Sequence, residues 1–332
     1  RDLVRSRGLG DVYKRQSLAP QLERLNQLIA DKLRSPNPLI NEVIGRYLSH
    51  KGKQLRPMMV ILSANLLGAS DPERVMASAA SIEMLHNASL IHDDVIDQSA
   101  TRHGISTINA MWDNHIAVLV GDYFVSSALQ LVISTGDLRA VETIASLGRL
   151  LSTGEMDQIN NATNHTISEE AYYEIISHKT ASLFVACVEM GAYAAEADER
   201  RLDVMRRFAM KFGQCFQIKD DIFDYFKSDS LGKPTGNDLR EGKVTLPLLH
   251  ALSGDATIEC LEMNALLMRG SLNDDEIATL IEYAIKAGGI DYANATLHRL
   301  RDEAAAILAE LGPDLDTTPL LTLLDYIIDR DN

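Results

Sequence analysis

Cysteine is scarce in this chain. Cys187, Cys215 and Cys260 are the only three in 332 residues, odd in number, far apart and without CxxC spacing. That excludes a disulfide framework and a cysteine zinc site, and it fits a reduced, cytoplasmic setting. Positive charge is short as well: 32 Lys and Arg stand against 47 Asp and Glu, a formal net charge of −15. Nucleic-acid binding calls for a basic footprint, so that class is set aside. No apolar run of membrane-spanning length is free of charge. Residues 116–133 are broken by Asp122 and residues 181–195 by Glu189, so no transmembrane segment is expected. Strand signals are weak, with no Asn-Gly or Asp-Gly turn between alternating segments. No linker, composition shift or short repeat divides the chain.

The first sixteen residues, RDLVRSRGLGDVYKRQ, stand apart. Their five basic residues against two acidic ones are foreign to an acidic protein, and they lack the apolar core of a signal peptide. They read as a non-native, poorly ordered extension, comparable to a translated sequencing-adapter remnant. Residues 17–332 read as one all-α domain. Leu22, Leu25, Leu28 and Ile29 mark a first amphipathic helix, and residues 39–48 and 55–67 give two more. Asp71-Pro72-Glu73 supplies an N-cap, a first-turn proline and a first-turn acid for the next. Further helices are predicted over 116–133, from Asp137 to about 160, from Ser168 to 195, over 198–226, 291–311 and 317–329. Asn273 with Glu276 reads as a capping box. Residues 227–242, KSDSLGKPTGNDLREG, are the one long polar loop, placed where a substrate lid would be useful.

The chain is organised around residues 85–104, LHNASLIHDDVIDQSATRHG. Asp93, Asp94 and Asp97 form a DDxxD pattern. At about 3.6 residues per turn, Asp93 and Asp97 share a helix face, Asp94 lies beside Asp97, and His86 sits two turns back. Between Val75 and His92 the only formal charge is Glu83, so this helix reads as buried, and carboxylates at its end need partners. The pattern returns as Asp220, Asp221 and Asp224 in FQIKDDIFD. One copy alone is ordinarily a solvated acidic face. Two copies, each on an apolar or aromatic helix, are hard to explain that way. If the two faces met, each close carboxylate pair would repel by roughly 4 kcal/mol, which cations must offset. All-oxygen ligands favour Mg²⁺, usually completed by substrate phosphates.

Such a site binds an anion, and basic candidates follow. Lys53 and Arg56 lie in GKQLRP, at the start of a helix; Arg102 and His103 follow the first motif; Lys179 and Thr180 lie in SHKTASLF; Lys233 and Lys243 flank the polar loop. An arginine can offer a bidentate fork to phosphate, a lysine a point charge. Each alone is ordinarily a solvated surface charge, and only the aspartates give them weight.

GKQLRP at 52–57, LIHDDVID at 90–97, RHG at 102–104, LVGDY at 119–123, HKT at 178–180, FQIKDDIFD at 216–224, and the GK…GNDLREGKVTLPL segment at 232–248 resemble, in order and spacing, the trans-polyprenyl diphosphate synthases. The look is nearest to bacterial long-chain enzymes of the octaprenyl type, and it covers roughly residues 17–330. The resemblance implies an all-α, single-domain bundle of the isoprenoid synthase type around a deep central cavity, usually a homodimer. It implies that Asp93, Asp94, Asp97, Asp220, Asp221 and Asp224 hold Mg²⁺ on an allylic diphosphate, with Arg102, Lys179 and Lys233 adding positive charge and Thr180 and Gln217 ordering the site. Lys53, Arg56 and His86 match the pocket for isopentenyl diphosphate. The reaction implied is ionisation of the allylic substrate, attack by the alkene, and loss of a proton, with the product passed on to membrane enzymes.

One departure is Arg102-His103-Gly104, where the family usually has Arg-Arg-Gly; His103 is a weaker donor unless protonated. Ala88 and Ser89, just before the first motif, occupy positions that carry bulky aromatics in farnesyl-type members. Two small residues leave a tunnel open toward Leu85, which lies eight residues before Asp93 and roughly 12 Å deeper than it, and imply a product of about forty carbons. A metal phosphohydrolase built on His92-Asp93 would leave FQIKDDIFD and GKQLRP unexplained.

Overall fold

The computed structural model describes residues 18–50, 52–102, 104–164, 168–226, 235–254 and 257–330. The N-terminal extension, His103 and Lys233 lie outside them. Among the described residues the regular structure is helical apart from one short hairpin. In chain order the helices are α1 (18–32), α2 (Pro38–Leu48), α3 (Leu55–Leu66), α4 (Pro72–Ile96), α5 (Ile108–Met111), α6 (Asn114–Ile133), α7 (Leu138–Asn164), α8 (Glu169–Ile176) and α9 (Ser182–Ala194). They continue with α10 (Glu199–Phe223), α11 (Asn237–Arg240), α12 (Leu246–Leu252), α13 (Ile258–Leu267), α14 (Asp274–Lys286), α15 (Gly289–Ala309) and α16 (Thr318–Asp329). Strands β1 (Thr101–Arg102) and β2 (Ile105–Ser106) pair antiparallel, Arg102 opposite Ile105.

The chain divides into two compact units. The first comprises Arg1–Arg149, Leu183–Arg207 and Leu308–Leu323; the second comprises Leu150–Ser182, Phe208–Ile307 and Leu324–Asn332. In the first unit α4 is the central helix, packed most extensively against α6 and also against α3. Asp71 caps it, its carboxylate accepting from the amides of Glu73 and Arg74 at 3.0 and 3.2 Å. Every residue from Val75 to Ile82 is buried, as expected of a helix apolar on all sides. Helix α6 is, by length and composition, apolar enough to cross a bilayer, which Asp122 had argued against. Here it packs along α4, burying Ala117, Val120, Phe124, Ala128 and Leu131. Gly121 permits the approach: a Cβ there would lie 2.2 Å from His92 Nε2.

In the second unit α12 packs on α14 and α8. Asn273 and Glu276 form the predicted capping box of α14. The helix expected from Ser168 does start there, Ser168 Oγ accepting from the Ala171 amide at 3.1 Å. It does not run unbroken: Ser177–Ala181 forms a π-helical turn between α8 and α9. Such turns widen a helix by one residue and often mark functional positions. The long polar loop also carries unforeseen order, because residues 237–240 close the helical turn α11. Helices α12 and α13 were not predicted either.

Candidate active site

The two aspartate motifs lie on different units and are built differently. In the first, Asp93 and Asp94 occupy the last turn of α4, and Asp97 is its C-cap, with its amide on the Asp93 carbonyl at 2.8 Å. Asp97 is exposed and Asp93 half-buried, while Asp94 is turned inward. The β1–β2 hairpin explains why. It returns Arg102 to Asp94, whose Oδ1 accepts from Nε at 2.9 Å and from Nη2 at 2.8 Å. Asn109 and the Ser99 amide also donate to the Asp94 carbonyl, at 3.3 and 2.9 Å, tying the hairpin to the helix end.

Further back on α4, Glu83 and His86 meet the charge of Arg56. Burial pushes the Glu83 carboxyl up from its ordinary value, and Arg56 acts against that rise. This is the charge partner that the apolar run from Val75 requires. Burial also pushes the His86 imidazole well down, and the Arg56 and Arg102 charges push the same way, so His86 is neutral at pH 7. The Arg56 guanidinium lies 5.4 Å from the ring centroid of Phe184. Lys53 is exposed, just ahead of Gln54, whose left-handed φ of 53° turns the chain into α3. Leu85 and Ala88 are buried on α4; Ser89 is half-buried, its hydroxyl donating to the His86 carbonyl at 2.8 Å.

In the second unit the predicted residues Thr180, Gln217 and Asp221 form one hydrogen-bond chain. Thr180 Oγ1 donates to Gln217 Oε1 at 2.6 Å, and Gln217 Nε2 donates to Asp221 Oδ1 at 2.8 Å. Tyr172 Oη donates to the other Asp221 oxygen at 2.6 Å. Burial pushes Asp221 up to about 7; Tyr172 and Gln217 oppose the rise, and the charges of Asp220 and Asp224 add to it. Burial, then the Asp221 charge, raises the Tyr172 phenol well above its ordinary value, so it stays a donor. Lys179 pairs with Glu155. The π turn places Lys179 and Thr180 beside α10, and Gly213 makes that contact tight: a Cβ there would lie 2.4 Å from Ala181 Cα.

Asp224 does something the DDxxD spacing did not reveal. Its two oxygens accept from the amides of Asn237 and Asp238, each at 3.0 Å, capping α11. The motif therefore anchors the segment that follows it. A cavity of about 180 Å³ opens here, bringing together Lys179, Thr180, Gln217, Asp221, Asp238 and Lys243. Burial, followed by the charges of Asp221 and Asp224, raises the Asp238 carboxyl well above its ordinary range. Among the described residues no three His, Cys, Asp or Glu side chains converge as a metal cage. The donor set nevertheless suits a hard cation: it is all carboxylate oxygen, and Asp221 is buried among like charges that a cation would neutralise.

A family model for polyprenyl synthetase matches residues 37–284. This chain belongs to the polyprenyl synthetase family. An octaprenyl diphosphate synthase from Haemophilus influenzae is 33% identical over 98% of this chain and 99% of its own length. A solved polyprenyl synthase from Caulobacter crescentus, in complex with calcium and isoprenyl diphosphate, superposes with a TM-score of 0.87 at 32% identity, covering 96% of this chain and 97% of that one. A geranylgeranyl pyrophosphate synthase from Bacteroides thetaiotaomicron gives 0.81 at 36% identity, covering 95% and 98%. The fold is thus the all-α isoprenoid synthase fold, and the chain is a prenyltransferase of the polyprenyl diphosphate synthase class.

Against the family motifs, four partners of the site residues escaped the sequence reading: Tyr172 on Asp221, Glu155 on Lys179, Asp238 in the cavity, and Arg330, which pairs with Asp220. Asp238 carried a signal, since it lies within the GNDLREGK segment that the resemblance rested on. The other three are contacts between distant stretches of chain and have no local signature.

Proposed function

We propose that this prenyltransferase adds isopentenyl diphosphate units head-to-tail to a farnesyl-type allylic diphosphate and makes a long product, of about forty carbons, from small residues at the tunnel wall. The observation that carries this reading is the hydrogen-bond chain from Thr180 and Tyr172 onto Asp221, inside a chain that also bears the first DDxxD motif on α4. A carboxylate held by two donors in a cavity with Lys179 and Lys243 is suited to a cation–diphosphate complex.

Asp93, Asp94, Asp97, Asp220, Asp221 and Asp224 would hold Mg²⁺. When bound, it supplies Lewis-acid stabilisation to the departing diphosphate. The protein's own groups do the rest. Arg102 and Lys179, with Lys233, add fixed positive charge to the leaving group. Lys179 reaches it by exchanging Glu155 for phosphate oxygen, and Arg102 has a second face for phosphate while keeping Asp94. Lys53 and Arg56 bind the diphosphate of isopentenyl diphosphate, and neutral His86 contributes a hydrogen bond there in place of a charge. His103 completes that pocket as a weaker donor than arginine. No protein base is assigned, because the released diphosphate can take the proton. Ala88, Ser89 and Leu85 line the tunnel for the growing chain.

The enzyme works in the cytoplasm, where its buried, free cysteines remain reduced. It pairs with a second copy through exposed apolar residues of α6, among them Val118, Leu119 and Ile133. The experiment is a product assay of the purified chain with Mg²⁺, farnesyl diphosphate and labelled isopentenyl diphosphate, read by chromatography. A ladder ending at about forty carbons supports reaction and tunnel together. A stop after one or two additions keeps the reaction and rejects the long product. No incorporation rejects both.

A further inference from the structure

Asp220 opens the second motif, yet its partner comes from the far end of the same unit. Arg330 follows the last residue of α16, and its Nη2 donates to Asp220 Oδ1. The same nitrogen reaches the Phe216 carbonyl at 3.5 Å. The guanidinium carbon lies 4.7 Å from the ring centroid of Phe216 and 5.3 Å from that of Phe223. Phe216, Asp220 and Phe223 follow one another at four- and three-residue steps on α10, so they form one stripe along the helix. Arg330 fills a slot made by that stripe, with a ring toward either end and the carboxylate between.

The burial is one-sided. The Arg330 side chain is 7% exposed, while that of Asp220 is 42% exposed. Arg330 Nε is buried with no acceptor among the described residues. A guanidinium that satisfied itself first would sit where all its N–H groups find oxygen. This one is held by aromatic faces and by Asp220, at the expense of Nε. A cation packed that deeply is poorly placed to leave when another cation arrives, so it does not act as a removable stand-in for metal. It is well placed to hold one end of the carboxylate still. Ligating carboxylates that are hydrogen-bonded from outside bind metal more tightly, because the ligand is oriented beforehand.

We propose that Arg330 is a positioning residue for the second aspartate motif: clamped between Phe216 and Phe223, it fixes the Asp220 carboxylate in the orientation from which the motif binds a divalent cation. The inference rests on the metal-binding reading of that motif. The test is a titration of Mn²⁺ into the full chain with inorganic diphosphate present, with free Mn²⁺ read by electron paramagnetic resonance. R330Q is expected to weaken Mn²⁺ binding by about tenfold. R330K keeps the charge and loses the planar fork, so it weakens binding too. F216L, with Arg330 intact, gives a smaller loss and remains informative if R330Q fails to fold, which circular dichroism reports. D220N separates the two layers. If D220N weakens Mn²⁺ binding and folded R330Q or R330K and F216L bind it as tightly as the parent or more tightly, Arg330 is not a positioning residue. If D220N itself binds Mn²⁺ like the parent, the metal reading of Asp220 fails and this inference with it.

Discussion

Tyr172 donates its phenol proton to Asp221 across 2.6 Å, and the residue on the other Asp221 oxygen is Gln217. A buried carboxylate with like charges nearby is held by two neutral donors that orient it without neutralising it. Tyr172→Phe removes one donor and keeps the ring. It is expected to raise the Mg²⁺ concentration for half-maximal activity by about tenfold, while Asp221→Asn, which removes the charge, costs more. The measurement is the Mg²⁺ dependence of isopentenyl incorporation beside a melting curve. An unchanged Mg²⁺ requirement in Tyr172→Phe would remove Tyr172 from the metal site.

Gly213 is a second point of leverage, since the atoms that crowd its missing Cβ are the Cα, Cβ and backbone nitrogen of Ala181 in the π turn. Gly213→Ala is expected to cost about 1–3 kcal/mol of stability through overpacking. The displaced turn carries Lys179 and Thr180, so the KM for the allylic substrate should rise more than that for isopentenyl diphosphate. Equal changes in both would show that the turn moves without consequence for the site.

Asp137 gives a pH prediction remote from both motifs. Arg139 donates from Nε and Nη2 at 3.1 and 2.8 Å and from its backbone amide at 3.0 Å, and Arg74 pairs with the same carboxylate. The Arg139 side-chain hydrogen bonds lead in holding Asp137 at about 2, below its ordinary 3.8. A depressed carboxyl stabilises the fold above its unfolded value and loses that contribution as pH falls through the folded one. Asp137→Asn is therefore expected to lower stability at pH 7 by about 2 kcal/mol, roughly 3 °C in melting temperature. The deficit should shrink as the parent is taken from pH 4 toward pH 2. A deficit that stays constant across that range would mean the ionised form contributes nothing.

The tunnel reading is open to a direct trial. Ala88 is 1% exposed, and Ser89 spends its hydroxyl on the His86 carbonyl. Ala88→Phe with Ser89→Phe should shorten the product, and Ser89→Phe alone, at the less buried position, should shorten it with smaller loss of stability. Product length unchanged in a folded, active variant would put the floor of the tunnel on another helix.

Three helix starts were legible because one local rule decided each. The caps at Asp71, Ser168 and Asn273 each satisfy an amide two or three residues on, and all three are present. Several of the elements that escaped depend on distant partners, although α13 is started by a local cap, Thr257 accepting from the Cys260 amide. Helix α11 is four residues long and is capped by Asp224 from across the polar loop. The π turn interrupts what periodicity alone reads as one helix, and α10 presses against it at a glycine. The β1–β2 hairpin brings Arg102 to Asp94 through a connection that carries Gly104, at a left-handed φ of 76°, but no Asn-Gly or Asp-Gly pair to announce it.

By itself the sequence determined the helical class, both DDxxD motifs and the family, because these rest on spacing along one chain. The tertiary structure decided how each aspartate is employed. Asp94 is bound to Arg102, Asp220 to Arg330, Asp221 to Tyr172 and Gln217, and Asp224 to the backbone of α11. Residues of identical chemistry at identical spacing are told apart only by what the folded chain places against them. A buried carboxylate takes the donors that lie within about 3 Å, and those donors come from elsewhere in the sequence.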